Sequence, residues 1–262
     1  MWTCCGQHVT VAPCAGEEHH DMLASDDLNR LEMERRWQFH ATAPGMQPSH
    51  RVAVAIDCEM GTAVDGDSEL IRLTVIDYFT GKSLIDSLVY PDIEMKHFNT
   101  RYSGITRGDM ERSRRQRQCI MGRDAARSAV FRHVGPNTVV VGHSAQNDLS
   151  SLRWIHHRVV DSYIVESAIR KEAKLKAEQE KKAEDEEVDK AEEVDKAKEG
   201  MPENGQKRGK RHPDGMSLKA LAMKRLGRAI QVGKNGHDSF EDALAARDLI
   251  HAHIVGLGSS DD

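Results

Sequence analysis

Long apolar stretches are missing from this sequence. Nowhere in its 262 residues does a run approach the ~18 consecutive apolar residues that a membrane-spanning helix needs. The first residues also lack the charged and then apolar layout of a secretory signal. We therefore expect a soluble intracellular protein that is neither secreted nor held in a membrane.

A strong positive charge and a disulfide framework are missing as well. The net charge is −5, but binding of a nucleic acid depends on where charges lie rather than on their sum. Three of the five cysteines, Cys4, Cys5 and Cys14, lie near the N-terminus, while Cys58 and Cys119 lie in predicted core segments. This clustering favours reduced or metal-bound thiols over disulfides.

Composition divides the chain into a core and additions. Charged residues make up 30% of it and hydrophobic residues 39%, so some segments are expected to lie outside the core. We predict an N-terminal extension over residues 1–49, a globular domain over 50–255 and a tail over 256–262. A charged insertion over 170–215 interrupts the domain; it begins as a solvated helix, repeats EEVDKA twice and continues as a flexible loop.

The patterning inside the domain predicts alternating strands and helices, which is an α/β class with a mixed sheet flanked by helices. The predicted elements are a strand in RVAVAID, a hairpin of ELIRLTVIDY and KSLIDSLVY around Thr80-Gly81, helical periodicity over Asp109–His133, a strand in NTVVVG, a helix over Gln146–His156, a strand in RVVDS, and two helices in SLKALAMKRLG, ended by Gly227, and HDSFEDALAARDLIHAHIV, capped by Ser239.

Carboxylates recur where these elements meet. In AVAIDCEM, Asp57 and Glu59 lie two residues apart at the end of an apolar strand, so both point to one side. A lone D-x-E motif after a strand is weak evidence for a functional site, because many strands end in solvent-exposed acids. Asp148 lies just inside a predicted helix that follows another buried strand, and His237 precedes Asp242 by five positions. Four such carboxylates can hold two hard cations, Mg²⁺ or Mn²⁺, that clamp a phosphoryl displacement.

The order D-x-E, N-D after V-G-H, and H-x4-D resembles the DEDDh exonucleases of the ribonuclease-H-like fold. Further segments, among them YPDIEMKHFNTRYSGIT and VGHSAQNDLSSL, are similar to the Rex group of RNA exonucleases; the resemblance covers about 50–166 and 215–255. It implies a 3′→5′ exoribonuclease that releases nucleoside monophosphates from single-stranded RNA ends by two-metal-ion hydrolysis. Processing or turnover of ribosomal or other structured RNA is the implied task.

The same resemblance assigns roles to five residues. Asp57 would bridge both ions, Glu59 and Asp242 would complete the site of the ion that activates water, and Asp148 would bind the second ion. His237 would be the general base, a task that suits imidazole because its ordinary pKa lies near neutral pH.

Two further residues are predicted to contact substrate. Met60 would pack against the terminal nucleotide, and Ser103 lies in an S-G-I-T element that either contacts substrate or caps a helix. The arginine-rich run Glu111–Gln118 either tracks phosphates or forms a solvated face.

The two additions carry weaker signals. Cysteines and histidines of the extension (Cys4, Cys5, His8, Cys14, His19 and His20) form either a small structural zinc site or part of a disordered tail. The basic cluster Lys207–His212 is either a nuclear-localisation signal or a patch that contacts RNA. The first interpretation predicts a nuclear location, with the cytoplasm as the alternative. The charged insertion regulates access or binds an unidentified protein partner.

Two other functions are compatible with the motifs. A DNA-directed or general DEDDh exonuclease would use the same five residues, since discrimination rests on contacts to the 2′-hydroxyl. A catalytically silent RNA-binding module is disfavoured, because clustered carboxylates cost stability when no metal neutralises them.

Overall fold

A computed structural model of the chain describes residues 36–192, 215–233 and 236–258. The chain divides into two compact units, residues 1–39 and 40–262. All elements named below belong to the second unit. Among the described helices, none is long and apolar enough to cross a membrane.

The second unit is built on a mixed sheet. The strands within its described residues are β1 (His40–Ala41), β2 (Ala53–Ala63), β3 (Ser68–Asp77), β4 (Ser83–Tyr90), β5 (Met95–His97), β6 (Cys119–Met121), β7 (Val139–Gly142), β8 (Trp154–Ile155) and β9 (Val159–Asp161). The main sheet has the order β6-β4-β3-β2-β7-β9, and β5 pairs with the end of β2. Antiparallel β2–β3 and β3–β4 pairs are combined with parallel β4–β6, β2–β7 and β7–β9 pairs, so the predicted hairpin and mixed sheet are confirmed.

Helices cover both faces of this sheet. They are α1 (Thr100–Ser103), α2 (Arg107–Arg115), α3 (Gly122–Phe131), α4 (Gln146–Ser151), α5 (Ser162–Glu192), α6 (Leu218–Leu226) and α7 (Ser239–Gly258). Val54, Ile56 and Cys58 of β2 pack in a cluster with α3. Ala53 and Ala55, which alternate with them, pack in a cluster with α7. Period two therefore assigns odd-numbered residues of this strand to the α7 face.

The prediction of helical structure over Asp109–His133 is wrong in the middle of this range. Two helices, α2 and α3, are separated there by β6, which pairs with Leu88–Tyr90 of β4. Gly122 has φ +78°, and a Cβ at this position would collide with the Asp92 carboxylate. A sheet edge that accepts three more residues has overridden the local helical pattern.

Two other boundaries also differ from the prediction. The helix expected over Gln146–His156 ends at Ser151, because Arg153 takes φ +49° and the next two residues pair with β1. Ser239 is not the cap of α7: the Asp238 carboxylate accepts from the Phe240 N–H at 3.1 Å, while the Ser239 hydroxyl bonds that of Thr74. By contrast, α6 ends as predicted at Gly227, which is in the left-handed conformation, and the Ser217 side chain caps its start by accepting from the Ala220 N–H.

The charged insertion begins as the predicted helix. α5 runs 31 residues from Ser162, and its side chains from Arg170 to Lys182 are exposed. Its first turns are anchored by Glu166, which accepts two hydrogen bonds from Arg225 at 2.9 Å and contacts His253 at 2.8 Å. The boundaries 49/50, 170–215 and 255/256 stay predictions, although β1 lies within the predicted extension.

Candidate active site

Strand β2 carries two carboxylates in a part that has a neighbouring strand on only one side among the described residues. Asp57 and Glu59 lie in the middle of this eleven-residue strand and not at its end as predicted. Parallel pairing with β7 stops at Ala55. Beyond that point the described neighbours of β2 are β3 on one side and, only from Thr62 onward, β5 on the other. Both acids therefore lie on the α7 face beside a gap in the sheet.

The first turns of α4 bring Asp148 into this gap. One oxygen of the buried Asp148 carboxylate accepts from the backbone N–H of Cys58 at 2.8 Å. Cys58 lies between the two acids of β2, so this bond connects the third carboxylate to the strand that holds the other two. The predicted position of Asp148 just inside a helix after a buried strand is observed.

A further buried acid, Asp161, was missed as a functional residue by the sequence interpretation. Its carboxylate accepts from the backbone N–H groups of Ser144 at 2.9 Å, Ala145 at 2.8 Å and Tyr163 at 2.9 Å. Ser144 has φ +58°, a conformation that needs support from its surroundings. Asp161 thus holds the turn from which α4 and Asp148 begin. The available signal was an acid after VV at the end of a short strand.

Helix α7, which packs on the sheet face that carries Asp57 and Glu59, supplies Asp242. One Asp242 oxygen accepts from the Gln231 side-chain amide at 2.9 Å and lies 3.6 Å from Nδ1 of His237. The other, Oδ1, is buried without a hydrogen-bond partner among the described residues. An unpartnered buried carboxylate oxygen is costly, and a cation is the ligand that would satisfy it.

His237 is held by a close contact between two loops. Its backbone N–H donates to the Tyr102 carbonyl at 2.5 Å. Gly236 before it has φ +84°, and a Cβ there would lie 2.1 Å from the Gly104 nitrogen. Glycine is therefore required at position 236 for both conformation and space. The His237 side chain remains 40% exposed, so its ring can reach solvent or substrate.

The electrostatics show that the acids crowd one another. Burial raises the pKa of Asp57 well above its ordinary value, and the charges of Asp148, Asp242 and Glu59 raise it further. Burial and then Asp242 raise the pKa of Glu59 to about 8, against the opposing charge of Arg72.

Asp148 and Asp242 behave in the same way. Burial raises the pKa of Asp148 to about 8 despite the Cys58 N–H bond. It raises the pKa of Asp242 to about 6, although the Gln231 bond and the His237 charge oppose it.

These donors fit divalent metal ions. Glu59, His237 and Asp242 can each present one ligand atom, and those three atoms lie within 4.8 Å of one another. Asp57 and Asp148 add further carboxylate oxygens, and the charges of Asp148, Asp242 and Glu59 all raise the pKa of Asp57. Carboxylate oxygens are the ligands that Mg²⁺ and Mn²⁺ prefer, and such ions would relieve the repulsion.

The two predicted substrate residues lie around this site but are used differently. Met60 is partly buried against the core, and its carbonyl accepts from the Asn99 amide at 3.0 Å. Ser103 is buried; its hydroxyl donates to the Phe98 carbonyl at 2.7 Å and accepts from the Ile105 N–H at 3.1 Å. The Ser103 hydroxyl therefore shapes its own loop.

The arginine-rich run Glu111–Gln118 lies on α2 and the turn after it. Arg112 pairs with Asp109 at 3.0 Å and Arg114 with Glu111 at 3.1 Å, so two of its charges are matched within the helix. The predicted zinc segment over residues 4–20 and the basic cluster Lys207–His212 lie outside the described residues.

The mixed sheet with its four converging acids has the ribonuclease-H-like fold of DEDDh-type exonucleases. Solved structures with this fold include the Pan2 catalytic unit of Neurospora crassa, with a TM-score of 0.54 and 17% identity over 89% of this chain and 34% of that chain. Another is the Saccharomyces cerevisiae Pan2 module in complex with AAGGA RNA, with a TM-score of 0.55 and 21% identity over 86% of this chain and 34% of that chain. The predicted fold class is confirmed.

The sequence is also similar to that of proteins named RNA exonuclease 3. The protein of that name from Candida glabrata is 30% identical over 96% of this chain and 50% of its own length. The RNA exonuclease 3 of Emericella nidulans is 28% identical over 95% of this chain and 36% of its own length. The chain thus spans half or less of these curated relatives. No protein-family model matches the chain. The predicted similarity to Rex-type RNA exonucleases is confirmed.

Proposed function

We propose that this protein is a metal-dependent 3′→5′ exoribonuclease that removes nucleoside monophosphates from single-stranded RNA ends. One observation carries the proposal: four carboxylates from β2, α4 and α7 converge with raised pKa values, and His237 lies beside them. The homology to proteins named RNA exonuclease 3 supports the choice of RNA and of this reaction.

The four acids would hold two divalent ions, Mg²⁺ or Mn²⁺. Asp57 is assigned to both ions, Glu59 and Asp242 to one and Asp148 to the other. When bound, such ions supply positive charge that stabilises the attacking and leaving oxygens of an in-line phosphoryl displacement. The orphaned Oδ1 of Asp242 is the clearest sign that this chain keeps a place for a cation.

His237 is assigned the proton transfer. Its exposed ring can accept a proton from the attacking water at one nitrogen, while the other nitrogen, Nδ1, lies 3.6 Å from an Asp242 carboxylate oxygen. The backbone bond to Tyr102 and the tight fit of Gly236 against Gly104 restrict where the ring can go. Such restriction matters, because small misplacements of a catalytic group lower rates strongly.

The substrate assignments follow the same logic. Met60, at the register shift of β2, is placed against the terminal nucleotide, and the Ser103 loop forms one wall of the site. The task we assign is RNA processing or turnover, in the nucleus. A role in ribosomal or other structured RNA is included in this proposal.

The first test is digestion of RNA that carries a 5′ label. A 3′→5′ exonuclease shortens the labelled strand stepwise and gives a ladder, whereas the opposite polarity would release the label in the first product. We expect a ladder with Mg²⁺, none with EDTA, and none from Asp57→Asn, because that change removes the charge shared by both ion sites.

Two controls sharpen this test. Asp124→Asn is matched in chemistry but alters a carboxylate that is 78% exposed and pairs with Arg127, so this variant should ladder as the wild type does. Matched DNA addresses the general exonuclease. Equal laddering of DNA contradicts the RNA assignment, and substantial activity in Asp57→Asn contradicts the two-ion assignment.

A further inference from the structure

A cleft adjoins His237, and none of the four carboxylates of the candidate site is among its described lining residues. It is lined by Arg101 and Tyr102 of α1, Lys219 of α6, and Gln231, Gly233, Gly236 and His237. We call it the outer cleft. A neighbouring cleft, lined by Arg72, the Ser103 loop, Asp238 and Glu241, shares Gln231, Gly236 and His237 with it, and we call it the inner cleft. The two clefts therefore adjoin each other at these three residues.

The charge of the outer cleft is opposite to that of the active site. Among the described residues that line it, two are cations, Arg101 and Lys219, and none is a carboxylate. The inner cleft includes Asp238 and Glu241 with Arg72. In a chain whose net charge is −5, two cations that line one cleft, with no carboxylate among its described lining residues, are suited to a polyanion.

Lys219 is fixed in position by the same residue that holds the metal-site acid. Its ammonium group donates to the Gln231 carbonyl at 2.9 Å, and the Gln231 amide donates to Asp242 at 2.9 Å. An ammonium group has three donors, so Lys219 keeps hydrogens for a ligand. The outer cleft and Asp242 are thus connected through one residue, by the backbone carbonyl and the side-chain amide of Gln231.

Tyr102 gives the outer cleft an aromatic surface. The side chain is 60% exposed, and the Arg101 guanidinium lies 5.8 Å from the ring centroid. A single exposed aromatic residue is ordinary on a protein surface. An exposed ring and two cations in a cleft that His237 also lines form the combination that binds single strands: stacking for the base and cations for the phosphates.

We propose that the outer cleft binds the RNA nucleotides that precede the 3′-terminal one, with Tyr102 stacked on a base and Arg101 and Lys219 on phosphates. The inference rests on the proposed function, which puts the terminal nucleotide at the carboxylates. The strand then passes His237 and enters the outer cleft. These contacts read no base sequence, since phosphate and stacking contacts are sequence-tolerant, which suits an enzyme that moves along its substrate.

Binding is tested in the full chain with the Asp57→Asn background, by fluorescence anisotropy of a 5′-fluorescein single-stranded octaribonucleotide in Mg²⁺. Tyr102→Ala should raise Kd roughly ten-fold through loss of stacking, whereas Tyr102→Phe should bind as the parent does. Arg101→Ala and Lys219→Ala should each lower the slope of log K against log salt by about 0.7. All three positions are exposed, so melting temperatures should match the parent.

Lys82→Ala is the matched control, because Lys82 is an exposed lysine in the turn between β3 and β4; it should change neither Kd nor slope. A Tyr102→Ala effect below two-fold, unchanged slopes, or an equal loss in Lys82→Ala would each overturn the outer-cleft proposal. Failure of the proposed function would look different. The Tyr102, Arg101 and Lys219 variants would still change Kd and salt slope as expected, but the wild type would produce no ladder from RNA.

Discussion

Raising the pH without metal should destabilise this protein. The perturbed groups are the acids of the site: the pKa of Glu59 is raised from 4.5 to about 8, that of Asp148 from 3.8 to about 8, and that of Asp242 from 3.8 to about 6. A raised pKa means that the folded protein keeps protons that the unfolded chain has already lost. The free energy of unfolding must therefore fall as pH rises from about 4 to about 8.

The size of the effect follows from one residue. For Glu59 the change from 4.5 to about 8 corresponds to about 5 kcal/mol at 1.36 kcal/mol per pKa unit. The four acids repel one another, so their individual values share the same repulsion and do not add. We take ~5 kcal/mol as the scale for the whole cluster, which is a large fraction of the stability of a typical domain.

Thermal melts in EDTA between pH 5 and pH 9 measure this directly. At 2–4 °C per kcal/mol for a chain of this size, the melting temperature should drop by at least about 10 °C. Mg²⁺ should restore most of the loss at pH 8.5 and little at pH 5, because protonated acids bind cations poorly.

Glu59→Gln should flatten the pH profile in EDTA and raise the melting temperature at pH 8.5, since it removes one charge from the cluster. Glu172→Gln, a change of the same chemistry at an exposed position of α5, should reproduce the wild-type profile. A melting temperature that stays level or rises between pH 6 and pH 8.5 in EDTA would refute the reasoning, as would Mg²⁺ stabilisation of equal size at every pH.

Three substitutions test the support of the site. Asp161→Asn should raise the Mg²⁺ concentration for half-maximal activity roughly ten-fold, because the turn that places Asp148 loses a charged acceptor; an unchanged Mg²⁺ dependence would show that the turn holds without it. Gly236→Ala should lower kcat by about a hundred-fold by displacing His237, and a variant with normal kcat would exclude the close loop contact. His237→Ala should lower kcat by about 10² to 10⁴ yet keep Mg²⁺-induced thermal stabilisation; loss of that stabilisation would make the residue chiefly a ligand.

Much of the fold was predictable because local chemistry and the final structure agree. Ser217 and Gly227 bound α6 as their side chain and backbone freedom require. Side chains of a strand alternate between its two faces, so the sequence alone predicted that Asp57 and Glu59 of β2 share one face. Where local pattern and tertiary pairing disagreed, tertiary pairing determined the structure: the edge of β4 takes Cys119–Met121 out of a helical sequence.

The acids of the site and the residues that hold them differ in how visible they are in the sequence. A carboxylate after an apolar run is conspicuous, because burying it is costly unless something neutralises it. Asp148 could be noticed from its own segment, although its bond to Cys58 spans 90 positions. Gln231 and Gly236 have no such mark. Their importance comes from Asp242 and Gly104, which only the folded chain brings to them. Sequence motifs therefore indicate which groups could perform the chemistry, while the precision of their placement depends on ordinary-looking residues, and it is at those residues that the predicted loss of kcat or metal affinity should be sought.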